Sequence, residues 1–167
     1  MSDCCSTTNH GLPPTAEPVK TALICPRCGQ RGQPVPTRTI KHQVRPEFLA
    51  AVEDGSFNFC RTALCNAVYF NDRRLVLTKA DVRQRIGVKE TEDPVPICYC
   101  FGFTEKMIVE ELRATGHCTI PQRIAAEVKA GNCACEVRNP QGSCCLGSVT
   151  AAVKRLRATE GANRYCK

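Results

Sequence analysis

The sequence predicts an α+β protein of two small modules, and three features of the chain support this prediction. Cysteine accounts for 14 of the 167 residues, and most of these cysteines fall into two groups. Strand-like alternation of apolar residues is typical of the first half, whereas helical periodicity is typical of the second. Between the halves, residues 88–96 are charged and contain two prolines, which indicates a module boundary.

The predicted organisation is a flexible tail over residues 1–20, a first module over 21–93, a second module over 94–160 and a C-terminal tail over 161–167. No apolar stretch is long enough for a transmembrane helix, so we expect no membrane association. The N-terminus also lacks the basic start and apolar run of a secretory signal, which favours a cytoplasmic protein.

A cysteine-rich chain in a reducing compartment is more typical of metal sites than of disulfides. The formal net charge of +7 would by itself favour a nucleic-acid partner. A metal centre held by four thiolates contributes about −2, however, and two such centres would leave an ordinary surface charge. We therefore expect no nucleic-acid partner.

The first cysteine group consists of two pairs with the spacings C-x₂-C and C-x₄-C. Each pair can present two thiolates from one turn, and two turns together surround one ion with four sulfurs, as in a structural zinc site. The candidate ligands are Cys25, Cys28, Cys60 and Cys65. Two alternatives stay open: His42 in place of one cysteine, or a single rubredoxin-like iron in place of zinc.

Local patterns predict the other elements of the first module. A proline in the first turn and a glycine past the end predict a short helix over residues 46–53. Apolar alternation predicts strands over 57–60 and 66–70, joined by the turn that carries the second cysteine pair. A strand over 75–77 precedes a predicted helix over 78–87, which opens with capping-box spacing and ends at a glycine.

In the second module, two cysteines in C-x-C spacing lie just before a predicted helix over residues 104–115. A second helix is predicted over 121–130, then a cysteine-bearing loop, then a last helix that begins at Leu146 or Ser148. Two thiolates from each of two turns suit a cluster of two irons. The candidates are Cys98 and Cys100 in the first turn, and Cys133, Cys135, Cys144 and Cys145 in the loop.

At this point the sequence resembles a known family. The segments CYCF and CACEVRNPQGSCCLG resemble the [2Fe–2S] domain of bacterioferritin-associated-ferredoxin-like (BFD-like) proteins. The run from Cys25 to about Leu156 resembles the N-terminal domain of CopZ-type copper chaperones, in which a zinc-binding module precedes a BFD-like module. The motifs that support this are C-P-x-C, F-C-x₄-C-x-x-V-Y-F-N and P-x-C-Y-C.

The resemblance implies a small zinc-knuckle α/β module followed by a helical BFD-like [2Fe–2S] module. It assigns Zn²⁺ to the first cysteine group. It assigns the cluster to Cys98 and Cys100 together with Cys135 and Cys145, and leaves Cys133 and Cys144 as the alternative ligands.

The function implied by the resemblance is one-electron transfer linked to copper or another soft metal, with reduction of Cu(II) to Cu(I) for a chaperone as the candidate step. The expected partners are a redox protein and either a heavy-metal-associated copper chaperone domain or a copper-transporting ATPase. No acid–base pair, nucleophile elbow or phosphate loop stands out in the sequence. We therefore expect no enzymatic turnover of an organic substrate and leave metal reduction open.

The vicinal pair Cys4 and Cys5 could bind a soft cation such as Cu(I), although two free surface thiols are the favoured reading. The rival function is a zinc-only module that binds nucleic acid or a protein partner. The basic net charge favours this rival, whereas the scarcity of aromatic residues argues against it.

Overall fold

The computed structural model describes residues 22–52 and 55–164. Among these residues, none of the helices combines the length and the hydropathy of a transmembrane segment. The first half is built on a four-stranded antiparallel sheet in which each strand pairs with its neighbour in sequence. Its strands are β1 (Gln33–Val35), β2 (Phe57–Phe59), β3 (Ala67–Asn71) and β4 (Val76–Thr78).

Strand β3 lies between two apolar clusters, and this placement determines where the first cysteine group sits. Tyr69 packs into the larger cluster, edge-on against Phe59 of β2 with 5.8 Å between ring centroids. Ala67 and Phe70 instead pack with cysteines of the first group. The pairing of β3 with β4 shifts register between Ala67 and Tyr69. Both faces of β3 are therefore buried, and one of them forms the floor of the cysteine group.

The first strand and the first helix, α1 (Thr37–Gln43), are not predicted from the sequence. Both lie in a segment whose two prolines suggest an irregular loop. Pro34 is tolerated because β1 is an edge strand of the sheet, where a missing N–H breaks no central ladder. Pro36 occupies the N-cap of α1, which leaves the hydrogen bonds inside the helix intact.

Two predicted helices of the first half are corrected by the structure. The helix predicted over residues 46–53 is a 3₁₀ helix, Pro46–Ala51. The helix predicted over 78–87 is wrong beyond its first turn: the capping box forms, but only the 3₁₀ turn Lys79–Asp81 follows. The chain then becomes extended, since Val82 bridges to Val44. This pairing uses backbone groups that a longer helix would need.

The second half begins with a hairpin of β5 (Pro96–Cys98) and β6 (Phe103–Thr104), and the rest is helical. Thr104 caps the first helix of this half by accepting a hydrogen bond from the Met107 amide at 3.4 Å. Gly116 ends the same helix in the left-handed conformation, and the sequence predicts both ends. The helices are α2 (Glu105–Thr115), α3 (Ile120–Lys129), α4 (Cys135–Arg138) and α5 (Leu146–Arg164). Ile108, Ile124 and Val149 form the centre of their shared core.

The two halves meet where α4 packs against α1. The Thr39 hydroxyl donates to the Glu136 carbonyl at 2.5 Å, and the Gln43 amide donates to the Val137 carbonyl at 2.7 Å. The buried Tyr69 hydroxyl donates to the Pro140 carbonyl at 2.6 Å. These hydrogen bonds attach the cysteine loop of the second half to the first half. The two main apolar clusters nevertheless stay separate, one on each side of the predicted boundary at residue 93.

The segment that joins the halves contains the 3₁₀ turn Gly87–Lys89, which lies against the start of the second half. The Gly87 amide donates to the Tyr99 hydroxyl at 2.8 Å. A Cβ atom at position 87 would overlap the Pro96 carbonyl oxygen. Glycine is required here because two backbone segments approach each other too closely for any side chain.

The close approach at Gly87 predicts that Gly87→Ala lowers the free energy of unfolding by about 1–3 kcal/mol, since the added methyl group forces the backbone apart. The matched control is Gly147→Ala, at a helical position where an added Cβ meets no atom within 4 Å. Alanine there should be neutral or stabilise by up to about 1 kcal/mol. Urea denaturation of both variants measures the difference, and equal midpoints would contradict the prediction.

Candidate metal centres

The first cysteine group converges from two turns at one side of the sheet. Cys25 and Cys28 lie in the turn before β1, whereas Cys60 directly follows β2 and Cys65 lies two residues before β3. Their four sulfur atoms all lie within 4.8 Å of one another. The structure thus brings together the four residues that the spacing singled out. The alternative ligand, His42, is exposed on α1 and does not belong to this group.

Backbone hydrogen bonds shape the first of these turns. The Cys25 amide donates to the Gln30 carbonyl at 2.8 Å, and the Gly29 amide donates to the Cys25 carbonyl at 2.9 Å. Gly29 has a φ of 70°, a conformation that side-chain-bearing residues rarely adopt. The sequence C-P-x-C-G therefore folds into a tight turn that projects both of its thiols to the same side.

Burial and hydrogen bonding separate the proton affinities of these thiols. The Thr62 hydroxyl, 3.4 Å from the Cys28 sulfur, lowers the pKa of Cys28 to about 6. Burial raises the pKa of Cys25 and raises that of Cys65 to about 12. A metal that binds this group must therefore displace protons from buried thiols. Only a strongly thiophilic cation does so readily.

The donor set of the first group fits zinc. Four sulfurs from two turns, with three of the four cysteines less than 10% exposed, provide all four ligands of a tetrahedral zinc site. Such sites hold Zn²⁺ tetrahedrally and contribute to folding. The arrangement can organise the first half, but zinc in it would carry no redox chemistry.

The second cysteine group is assembled from the β5–β6 hairpin and the loop between α3 and α5. Cys98 ends β5 and Cys100 lies in the hairpin turn, whereas Cys135 begins α4 and Cys145 directly precedes α5. The sulfurs form two close pairs: Cys98 and Cys145 are 3.1 Å apart, and Cys100 and Cys135 are 3.6 Å apart. All four side chains are buried.

The pairing distinguishes this group from the first one. In the part of the chain that the structure describes, no three of its sulfurs lie within 4.8 Å of one another. Two separate pairs do not surround a single small ion, but they match a centre with two metals in which each metal takes two thiolates. Cys133 is half-buried and Cys144 is exposed, and neither belongs to a pair. Cys4 and Cys5 lie outside the described residues.

Hydrogen bonds and burial give the thiols of the second group different proton affinities. The hydrogen bond from Cys145 lowers the pKa of Cys98 to about 6 and raises that of Cys145 itself. Burial raises the pKa of Cys135 to about 12. The Ala134 amide donates to the Cys100 sulfur at 3.4 Å, so a backbone N–H already points at one candidate ligand.

Two cations beside the groups carry roles that sequence reasoning did not assign. Arg138 donates to the Cys100 carbonyl at 3.0 Å. Lys89 is buried and donates to the carbonyls of Thr62 and Cys65. Lys89 lies in a run of charged residues that is typical of a solvated linker, and no local pattern marks it. Arg138 lies three residues after the candidate ligand Cys135, and this closeness in sequence is the signal that could have indicated its position beside the second group.

Comparisons with known proteins agree with this geometry. Residues 22–83 match the CopZ family described as “Zinc binding domain”. The copper chaperone CopZ of Archaeoglobus fulgidus is 36% identical over 125 residues, which make up 74% of this chain and 58% of that protein. The chain thus matches little more than half the length of that relative.

A solved structure gives the same result for the fold. The X-ray structure of the Archaeoglobus fulgidus CopZ N-terminal domain superposes with a TM-score of 0.63 and 34% sequence identity, over 74% of this chain and 92% of that one. Since a third of the aligned residues are identical over nearly all of that domain, the chain belongs to the family of CopZ-type zinc-binding N-terminal domains.

Proposed function

We propose that this protein carries one zinc ion and one [2Fe–2S] cluster, and that it transfers single electrons in the service of copper handling. The observation that supports this most directly is the contrast between the two cysteine groups, one a compact set of four sulfurs and the other two separate pairs. A compact set suits a single ion, whereas two pairs suit two bridged irons.

For zinc, we assign Cys25, Cys28, Cys60 and Cys65 as ligands. Membership of a zinc-binding family and the mutual closeness of the sulfurs support the assignment. The ion would replace protons on buried thiols and would join the turn before β1 to the loop between β2 and β3. We infer that its role is structural.

For the cluster, we assign Cys98, Cys100, Cys135 and Cys145 within a BFD-like second module over residues 94–160. Burial and pairing of these thiols support this choice over Cys133 and Cys144. The Ala134 amide would donate to a ligand sulfur, and such donors stabilise the negative charge of a thiolate-bound centre.

The link to copper rests on the name of the relative, a copper chaperone. A [2Fe–2S] cluster supplies electrons one at a time, which is the exchange that converts Cu(II) into the Cu(I) that thiolate ligands prefer. The partners we infer are a redox protein that supplies the electron and a heavy-metal-associated copper chaperone domain or copper-transporting ATPase that receives Cu(I). Cys4 and Cys5 are a further candidate site for the soft cation.

Metal analysis of the full chain, purified without oxygen, tests the proposal. We expect a red-brown protein with about two irons, two acid-labile sulfides and one zinc per chain. The rival function, a zinc-only module, requires a colourless protein with zinc in both groups. Absence of iron and sulfide from the anaerobic preparation would refute the electron-transfer proposal and leave the zinc assignment standing.

Serine substitutions test the choice of cluster ligands. Cys135→Ser and Cys145→Ser should each lose or strongly shift the visible absorption of the cluster, because an alkoxide is a poor substitute for a thiolate on iron. Cys133→Ser and Cys144→Ser are the matched controls and should keep the wild-type spectrum. Loss of the spectrum in Cys133→Ser with retention in Cys135→Ser would show that the loop contributes a different ligand.

Arg138 should tune the reduction potential, since its guanidinium donates to the carbonyl of a candidate ligand. A nearby positive charge stabilises the reduced state, which carries the additional electron. Arg138→Gln should therefore lower the midpoint potential by about 40 mV, equivalent to about 1 kcal/mol for a one-electron couple. Arg138→Lys keeps the charge and should stay near the wild-type value in a spectroelectrochemical titration. An unchanged potential in Arg138→Gln would contradict this role.

A further inference from the structure

Lys89 is a charged side chain buried next to the first cysteine group, and the proposed function does not account for it. The residue is 6% exposed and is the single charged residue among the buried residues of the described ranges. Removing an ammonium group from water is unfavourable unless hydrogen bonds and opposite charge compensate. The position of Lys89 therefore calls for partners that offset this cost.

The ammonium group is hydrogen-bonded to one loop. Lys89 Nζ lies 2.8 Å from the Thr62 carbonyl oxygen and 2.9 Å from the Cys65 carbonyl oxygen. It also lies 5.9 Å from the centroid of the Phe59 ring, within the range of a cation–π contact. Both carbonyls belong to the 60–65 loop, which carries a candidate zinc ligand at each end. Through these hydrogen bonds, Lys89 connects the 60–65 loop to the segment that joins the two halves.

The opposite charge does not come from a neighbouring carboxylate. Glu90 pairs with Lys79 at 2.8 Å and with Arg85 at 3.0 Å. None of the ion pairs among the described residues includes Lys89. Four thiolates around a divalent cation carry a net charge of about −2. Two of these thiolates belong to the loop to which Lys89 donates. Their negative charge can therefore compensate the positive charge of the buried ammonium group.

We propose that Lys89 is a positioning residue of the first metal centre, which holds the 60–65 loop in its metal-binding conformation and offsets the negative charge of the bound thiolates. This inference rests on the proposed assignment of the four thiols as zinc ligands. Because the ammonium binds carbonyl oxygens, the sulfur lone pairs stay available to the metal. Partners of this kind around metal ligands typically contribute about 10- to 100-fold in metal affinity.

Zinc retention in the full chain provides the first test. Lys89→Met keeps most of the apolar stem but loses the charge and the donors, whereas Lys89→Arg keeps both. Lys129→Met, at an exposed position of α3, is the control. We expect Lys89→Met to lose zinc to a chromophoric chelator about tenfold more readily than the wild type. Lys89→Arg and Lys129→Met should stay within about twofold of the wild type.

Cobalt substitution provides a readout that a merely structural role would not change. A positive charge near sulfur stabilises its lone pairs, so its removal should move the thiolate-to-Co(II) charge-transfer band of Lys89→Met to longer wavelength. Lys89→Arg should restore the band. A wild-type band position, or wild-type zinc retention, in Lys89→Met would overturn the proposal.

Two outcomes keep the test decisive. If Lys89→Met does not fold, zinc retention is compared between Lys89→Arg and the wild type. Wild-type retention in Lys89→Arg supports the proposal. A folded Lys89→Arg that loses zinc overturns it. A wild-type chain that binds no zinc refutes the ligand assignment itself, and the role of Lys89 then falls with it. Failure of the proposed function and failure of this inference are thus distinguishable.

Discussion

The convergence of buried thiols is the constraint on which the rest of this structure depends. The first half has a four-stranded sheet of short strands, and one face of the inner strand β3 packs against cysteines instead of a second apolar layer. Without a cation, burial opposes the ionisation of Cys25 and Cys65, whose pKa values are raised. A bound metal cation replaces the thiol protons and binds the resulting thiolates, so that burial no longer opposes their ionisation.

The cysteine loop of the second half is held in place by the first half. The hairpin provides Cys98 and Cys100, and Cys145 lies just before α5, but Cys135 lies on α4, which is packed against α1. The hydrogen bonds of Thr39, Gln43 and Tyr69 to this loop act between residues far apart in sequence. The first half therefore acts as a scaffold for one side of the second cysteine group, in addition to holding its own.

Sequence reasoning succeeded where the chemistry is local. Cysteine spacing identified the four thiols that the first group brings together, and a threonine and a glycine marked both ends of α2. It failed where long-range pairing overrides local preference, as in the segment after Asp81, which pairs with residues 43–45 instead of continuing a helix. Lys89 was not predictable, because its burial depends on a loop 24 residues away. The choice between neighbouring cysteines of the second loop likewise depends on tertiary packing.

The spacing of the first group has a consequence for the unfolded chain. Cys28 and Cys60 are 32 residues apart in sequence, yet their sulfurs lie 3.6 Å apart in the fold. A metal that joins them closes this long loop as a disulfide would, and the same chain-entropy argument gives about 4 kcal/mol of stabilisation at room temperature. Unlike a disulfide, such a cross-link withstands glutathione and other reductants, so a domain with a modest interior can stay folded where cystine bridges are reduced.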